Sequence, residues 1–345
     1  MGETLARRLP DVGGRRAKAG SLTDMSTEGG NRAILAALAA NLGIAVTKFI
    51  AFLLTQSSSM LAESVHSLAD SANQALLLFG GRRARRQATP QHPFGYGRER
   101  YFWAFVVSIV LFSVGGLFAL YEAHHKWEQP EGITNFAWAP IVVLVVSIGL
   151  EGFSFRTAVH ESNPARGTRS WPQFIRSAKA PELPVVLLED FAALIGLVFA
   201  LVGVMLTIIT GNGRWDAAGT GLIGLLLVTV ALVLAVEMKS LLLGEAASPD
   251  HVRAIESAIT GTEGVGRLIH MRTLHVGPEE LIVAAKVAVT ETDTADLVAT
   301  TINVAELNAR LAVPDLTLLM YLEPDIDHGD DGSRPSWDPT TATTS

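Results

Sequence analysis

The chain has 345 residues, 49% hydrophobic and 18% charged, and its charges are clustered so that long apolar gaps separate them. Ordinary soluble domains carry about 25% charged residues, so this composition points to an α-helical membrane protein with soluble ends. The absence of cysteine excludes disulfides, thiolate zinc sites and thiol catalysis, while the net charge of −7 says little for so segmented a chain.

Residues 1–30 contain Gly, Arg and Ser without an apolar core, so no cleavable signal is read and a disordered cytoplasmic tail is expected. A membrane helix needs about 20 mainly apolar residues, and six segments between 31 and 243 qualify. They run from about Ala33 to Thr55 with Lys48 as the one charge, Met60 to Gly81 with Glu63, His66 and Asp70, and Phe102 to Tyr121 without charge. The others are Phe136 to Thr157, interrupted by Glu151 and Arg156, Leu183 to Ile209 with Glu189 and Asp190, and Ala217 to Val236. Arginines concentrate in the N-terminal tail and in the loops after the second and fourth spans, which puts both termini on the basic, cytoplasmic side. Arg82 to Arg86 read as a topology signal, with anionic lipid headgroups as an additional partner.

Residues 249–324 look like a small soluble domain. A helix is predicted over His251–Thr260, strands over Arg267–Val276 and Leu281–Thr290 with Gly277-Pro278 between them, a helix over Asp293–Leu311 and a strand over Thr317–Leu322. The order αββαβ suggests an α+β layer with helices on one sheet face. Residues 325–345, rich in Asp, Gly, Ser, Pro and Thr, are expected to be a disordered tail.

His66 and Asp70 are four residues apart, on one helix face and about one turn from each other. An ionisable group inside a bilayer costs about 2.5–3.5 kcal/mol even on lenient scales, so such groups mark function. An imidazole and a carboxylate on one face make half of a metal site. Glu189 and Asp190, about 100° apart around their helix, can put one carboxylate toward the second span while the other flanks it. Asp190 with His66 and Asp70 gives a ligand set of mixed N and O type, completed by Glu189, a backbone oxygen or water. One imidazole among carboxylates suits Zn²⁺, whereas all-oxygen sets lean to Mg²⁺ or Mn²⁺. Protonation of the same groups releases metal, so the site can couple a metal flux to a proton flux. Glu63 and Glu151 are expected at span ends, near the interface. Lys48 and Asn41 are expected to pack inside the bundle or to pair with Glu63, and not to ligate.

At these residues the chain resembles the cation diffusion facilitator family of zinc-transporter-type efflux proteins, in the branch of the animal mitochondrial zinc transporter. The similar stretches are Ser57–Gln74, His92–Trp103 with its Pro-Phe-Gly-Tyr-Gly-Arg run, and Leu241-Leu-Leu-Gly-Glu-Ala. The resemblance covers about Ala33 to Pro324. It implies a homodimer, six spans per subunit, a cytoplasmic ferredoxin-like domain and proton-coupled alternating access. His66, Asp70 and Asp190 match the family's transport ligands, but the position four residues before Asp190 is Val186, with Glu189 beside Asp190 instead. Tyr96 replaces the second histidine of the family's site before the third span, and Tyr321-Leu-Glu323 lacks the usual domain histidine. His270 and His275 are read as surface or strand histidines. The basic loop Asn163–Pro181 stands where the family often has a histidine-rich run.

The expected activity is efflux of a divalent cation, Zn²⁺ with H⁺ as counter-ion, by a homodimer in a lipid bilayer. Mn²⁺, Fe²⁺ or Co²⁺ is the alternative cargo, and a membrane metal-binding protein that does not transport is the alternative class. No His-Glu-x-x-His and no activated nucleophile is present, so no enzyme is expected, nor a nucleic-acid partner. Without a transit-type N-terminus, a bacterial plasma membrane is the expected location.

Overall fold

The structure, a computed structural model, describes residues 41–130 and 137–326. The expected N-terminal tail, the first residues of the first span and the tail beyond Ile326 lie outside the described residues. The elements run α1 (Asn41–Thr55), α2 (Ser58–Ala84), α3 (Glu99–Glu128), α4 (Trp138–Arg166), α5 (Trp171–Ser177), α6 (Glu182–Thr210) and α7 (Arg214–Leu243). They continue as α8 (Pro249–Thr260), β1 (Leu268–Gly277), β2 (Glu280–Val289), α9 (Ala295–Ala312) and β3 (Thr317–Ile326).

Among the described residues, four helices are long and apolar enough to cross a membrane: α3, α4, α6 and α7. The first two expected spans do not qualify. Only Asn41–Thr55 of the first is described, which is too short. The second, α2, has 27 residues and so the length, but Glu63, His66, Asp70, Arg82 and Arg83 lower its hydropathy. Its polarity is the feature that makes it a candidate site.

The helices contribute to two compact units, one comprising the described residues through Leu76, Val107–Val159 and Leu188–Leu232, the other Leu77–Val106, His160–Leu187 and Val233 onward. In the first unit α6 and α7 approach through glycines. A Cβ on Gly219 would stand 2.9 Å from the Phe199 carbonyl oxygen, and one on Gly203 2.9 Å from that of Trp215. Small residues at such a crossing let two backbones touch where lipid supplies no hydrophobic drive.

A buried carboxylate anchors α2. Ser57-Ser-Ser at its start leaves N–H groups without intrahelical partners, and Asp216 of α7 takes them. Its Oδ2 accepts from the Ser58 N–H at 2.7 Å and its Oδ1 from the Ser59 N–H at 3.3 Å and the Ser57 hydroxyl at 3.0 Å. An anion at a helix N-terminus also complements the macrodipole. Gln56, between α1 and α2, has φ +55, and its carbonyl accepts from the Lys126 ammonium at 3.0 Å. Replacing Asp216 by alanine orphans several buried donors together and is expected to cost about 1–3 kcal/mol, measured by unfolding in detergent. Asp216→Asn, which keeps one acceptor oxygen, is expected to lose less.

In the second unit, α4 ends within the basic loop and α5 begins with a capping box made by Ser170 and Gln173. The guanidinium of Arg166 lies 4.5 Å from the Trp171 ring centroid, and Lys179 pairs with Glu245. The C-terminal part follows the expected αββαβ order. Ser248 and Thr294 cap α8 and α9. β1 and β2 are antiparallel, whereas β3 is parallel to β2, as a crossover through α9 requires. Leu281, Val283 and Val287 of the central strand pack with Ile255 and Ile259 of α8, Ala309 of α9 and Leu318 and Met320 of β3. β3 runs past the expected Leu322 to Ile326 because its ladder with β2 continues to Val289, and Pro324 is tolerated on this edge strand. Arg100, at the start of α3, holds Glu182 at 2.5 and 2.8 Å and Glu279 of the β1–β2 turn at 3.4 Å.

Candidate functional site

The polar face of α2 follows from its spacing. Glu63, His66, Ser67, Asp70 and Asn73 recur at three- and four-residue intervals, so they stack along one stripe. All five are buried within the first unit. The stripe divides into two neighbourhoods.

In the first, Lys48 of α1 donates to Glu63 Oε2 at 3.0 Å and to the Ser67 hydroxyl at 2.8 Å. Lys48 and Glu63 are 1% and 0% exposed. This fulfils the expected Lys48–Glu63 pairing and corrects the interfacial placement of Glu63, since a carboxylate three residues before His66 lies on the same inward face. Glu63 Oε1 is buried without a hydrogen-bond partner, in space that a Cβ on Gly196 would narrow to 3.0 Å.

In the second, His66 Nδ1 and Asp70 Oδ1 stand 3.4 Å apart. Both nitrogens of His66, Oδ1 of Asp70 and Oδ1 of Asn73 are buried without hydrogen-bond partners. Leu111–Leu117 within α3 winds as a π-helix, and the Cβ direction of its Gly115 reaches 4.0 Å from His66 Nδ1. Single π turns inside α-helices recur at functional sites. Here the wider turn presents a residue without a side chain to the imidazole.

The two carboxylates of α6 part company. Glu189 lies against the Asp70 carboxyl and accepts from Asn73 Nδ2 at 2.7 Å. Asp190 points to α4, where its Oδ2 accepts from the Ser154 hydroxyl at 2.9 Å. Glu151, one turn before Ser154, is half-buried rather than placed at a span end. The structure thus joins His66, Asp70 and Glu189 into one neighbourhood and puts Asp190 at its edge. Among the described residues no three His, Asp or Glu side chains converge closely enough to hold a metal ion. Asn73, Ser67 and Ser154 were not read from the sequence, although Asn73 follows His66 by seven residues and Asp70 by three, the spacing of one face.

Outside the bundle, the expected auxiliary positions are plain. In the loop before α3 the His92 and Tyr96 rings lie 4.6 Å apart. His275 is buried in β1 with Nδ1 3.2 Å from the Gly277 carbonyl oxygen, and burial lowers its pKa.

Comparison with known proteins adds a family. A family model described as the cation efflux transmembrane domain matches residues 34–243. The mitochondrial proton-coupled zinc antiporter SLC30A9 of Xenopus laevis is 30% identical over 270 residues, 77% of this chain and 48% of that protein. The human protein of the same name is 32% identical over 225 residues, 65% of this chain and 39% of its own length. Metal tolerance protein C4 of Arabidopsis thaliana is 28% identical over 267 residues, 76% of this chain and 58% of that protein. The chain therefore spans only 39% to 58% of the length of these curated relatives.

These relatives correct one expectation. The animal proteins matched over most of the chain are mitochondrial by name, which overturns the bacterial plasma membrane. The arginine distribution gives a basic side, and that is as true of an organelle membrane as of a plasma membrane. The multi-pass membrane reading stands. With the match covering the helices that carry His66, Asp70, Glu189 and Asp190, the chain belongs to the cation efflux family.

Proposed function

We propose that the chain exports Zn²⁺ from one side of a mitochondrial membrane to the other in exchange for protons, with His66, Asp70, Glu189 and Asp190 as the metal-handling residues. The observation that carries this reading is the set of unpaired buried atoms on α2. A buried polar atom without a partner costs about 1–3 kcal/mol, and both His66 nitrogens, with one oxygen of Asp70, are in that state. A metal ion or a proton relieves the cost, and each displaces the other from the same lone pairs. The dication and the protons that replace it also neutralise the same carboxylates, so the buried charge need not change greatly around the cycle.

Names of relatives support the cargo: SLC30A9 proteins are named proton-coupled zinc antiporters. The imidazole supports it chemically, since Mn²⁺ and other harder ions favour an all-oxygen set. Homodimerisation, six spans and a ferredoxin-like fold for the αββαβ domain belong to the same proposal. The span count rests on α1 and on the length of α2, the fold on its strand order.

Zn²⁺ uptake into proteoliposomes under an imposed pH gradient tests the function, with Mn²⁺ and Co²⁺ as rivals. Glu189→Gln is expected to lower Zn²⁺ flux more than Asp190→Asn, because Glu189 is the carboxylate against Asp70. A larger loss in Asp190→Asn would place the α6 ligand at Asp190. No gradient-dependent flux of any metal by folded wild-type protein would favour a metal-binding protein that does not transport.

A further inference from the structure

The second unit contains a cavity of about 860 Å³ that the transport reading does not use. Its charged lining is Arg83 and Arg86 after the apolar part of α2, Arg98 before α3, and Glu99. Glu99 is already engaged: its Oε2 accepts from Trp103 Nε1 at 2.8 Å and its Oε1 is 3.6 Å from Arg83 Nε. Arg83 Nε is itself buried without a hydrogen-bond partner. Three guanidiniums against one occupied carboxylate leave the cavity cationic. The rest of the wall is mixed, with the apolar Phe102, Trp103 and Leu242 beside the polar Gln91, His92 and Tyr96.

The surroundings mark the membrane–water boundary. α2 changes here from apolar residues to Arg82 and Arg83, and α3 from Glu99 and Arg100 to an apolar run. Phe79 and Phe102 are exposed at this level, and Arg83 lies over the Phe79 ring at 5.2 Å. Aromatic rings beside arginines at span ends are interfacial anchors. The apolar stretch of wall formed by Phe102, Trp103 and Leu242 distinguishes this cavity from a site for a free anion.

We propose that this cavity binds an anionic phospholipid, with the headgroup phosphate on Arg83, Arg86 and Arg98 and the first part of an acyl chain along Phe102, Trp103 and Leu242. Guanidiniums suit phosphate through paired N–H donors. The volume falls in the range of about 300–1,000 Å³ usual for ligand pockets, so headgroup, glycerol and upper methylenes are accommodated and the chain ends remain in the bilayer. The proposal holds whichever cation the protein carries.

The test is native mass spectrometry of the full chain in mild detergent, titrated with phosphatidylglycerol, with phosphatidylcholine of the same chains, and with inorganic phosphate. Phosphatidylglycerol is expected to bind most tightly, and R83Q/R98Q to weaken it about 25-fold, at about fivefold per arginine. R85Q, changing an exposed arginine outside the lining, is expected to leave binding unchanged. Equal weakening in R85Q would overturn the proposal in favour of a diffuse basic surface, and equally tight inorganic phosphate would reduce it to an anion site. Should R83Q/R98Q fail to fold, a photoactivatable phosphatidylglycerol on wild-type protein decides. Cross-links concentrated between residues 83 and 103 support the cavity, and cross-links scattered over the spans overturn it.

Discussion

Replacing His66 by alanine is expected to reduce gradient-driven Zn²⁺ uptake to the protein-free background while leaving unfolding in detergent near wild type. The two halves of this expectation have different causes. Transport is expected to fail because in the proposed site the imidazole is the one nitrogen ligand on the polar stripe of α2, and a carboxylate set without it loses its preference for Zn²⁺. The fold tolerates the loss because the ring makes no hydrogen bond, so truncation removes packing and also removes an unsatisfied polar group. Asp70→Asn is the complementary change. It keeps the shape and removes the charge beside Glu189, so it is expected to abolish flux while easing the contact between two buried carboxyls. Flux above half of wild type in His66→Ala, from protein reconstituted in equal amount, would rule out His66 as a ligand.

The residues behind this expectation were readable because helical periodicity is a local property. His66 and Asp70 follow from spacing and from the cost of burying charge, whereas for Lys48 the sequence left packing inside the bundle and pairing with Glu63 both open. Neighbouring residues 100° apart are a different matter. The sequence puts Glu189 and Asp190 in one span and leaves open which of them meets Asp70, since that depends on the rotation of α6 against α2 and α4. The structure resolves the rotation by giving Asn73 to Glu189 and Ser154 to Asp190. Asp216 was missed for a related reason. It stands at the start of α7, where an acidic residue reads as an ordinary first-turn charge, and its role is created by Ser57–Ser59 more than 150 positions earlier. The π turn beside His66 has no spacing signature beyond the pair Gly115-Gly116. By hydropathy α2 falls short of a plain span, because the side chains that suit it to a site are those that lower its hydropathy.

The largest effect on stability is expected at Lys48 and Glu63. Lys48→Met leaves Glu63 buried without its counter-charge, and Glu63→Gln leaves the Lys48 ammonium buried without its own. Breaking a buried pair from one side costs about 3–5 kcal/mol, whereas replacing both partners by neutral groups of similar volume is often close to neutral. Each single variant is therefore expected to fall by that amount in detergent unfolding, and Lys48→Met/Glu63→Gln to return to within about 1–2 kcal/mol of wild type, a large coupling in the double-mutant cycle. Additive losses would show that the two side chains act separately. The pair also bears on transport. Its charges cancel inside α1 and α2, so in the proposed cycle cargo and protons would act on His66, Asp70 and Glu189 against a neutral background. The double variant keeps that neutrality and is expected to retain gradient-driven flux, while Lys48→Met alone adds an uncompensated carboxylate within one turn of His66 and is expected to lose it.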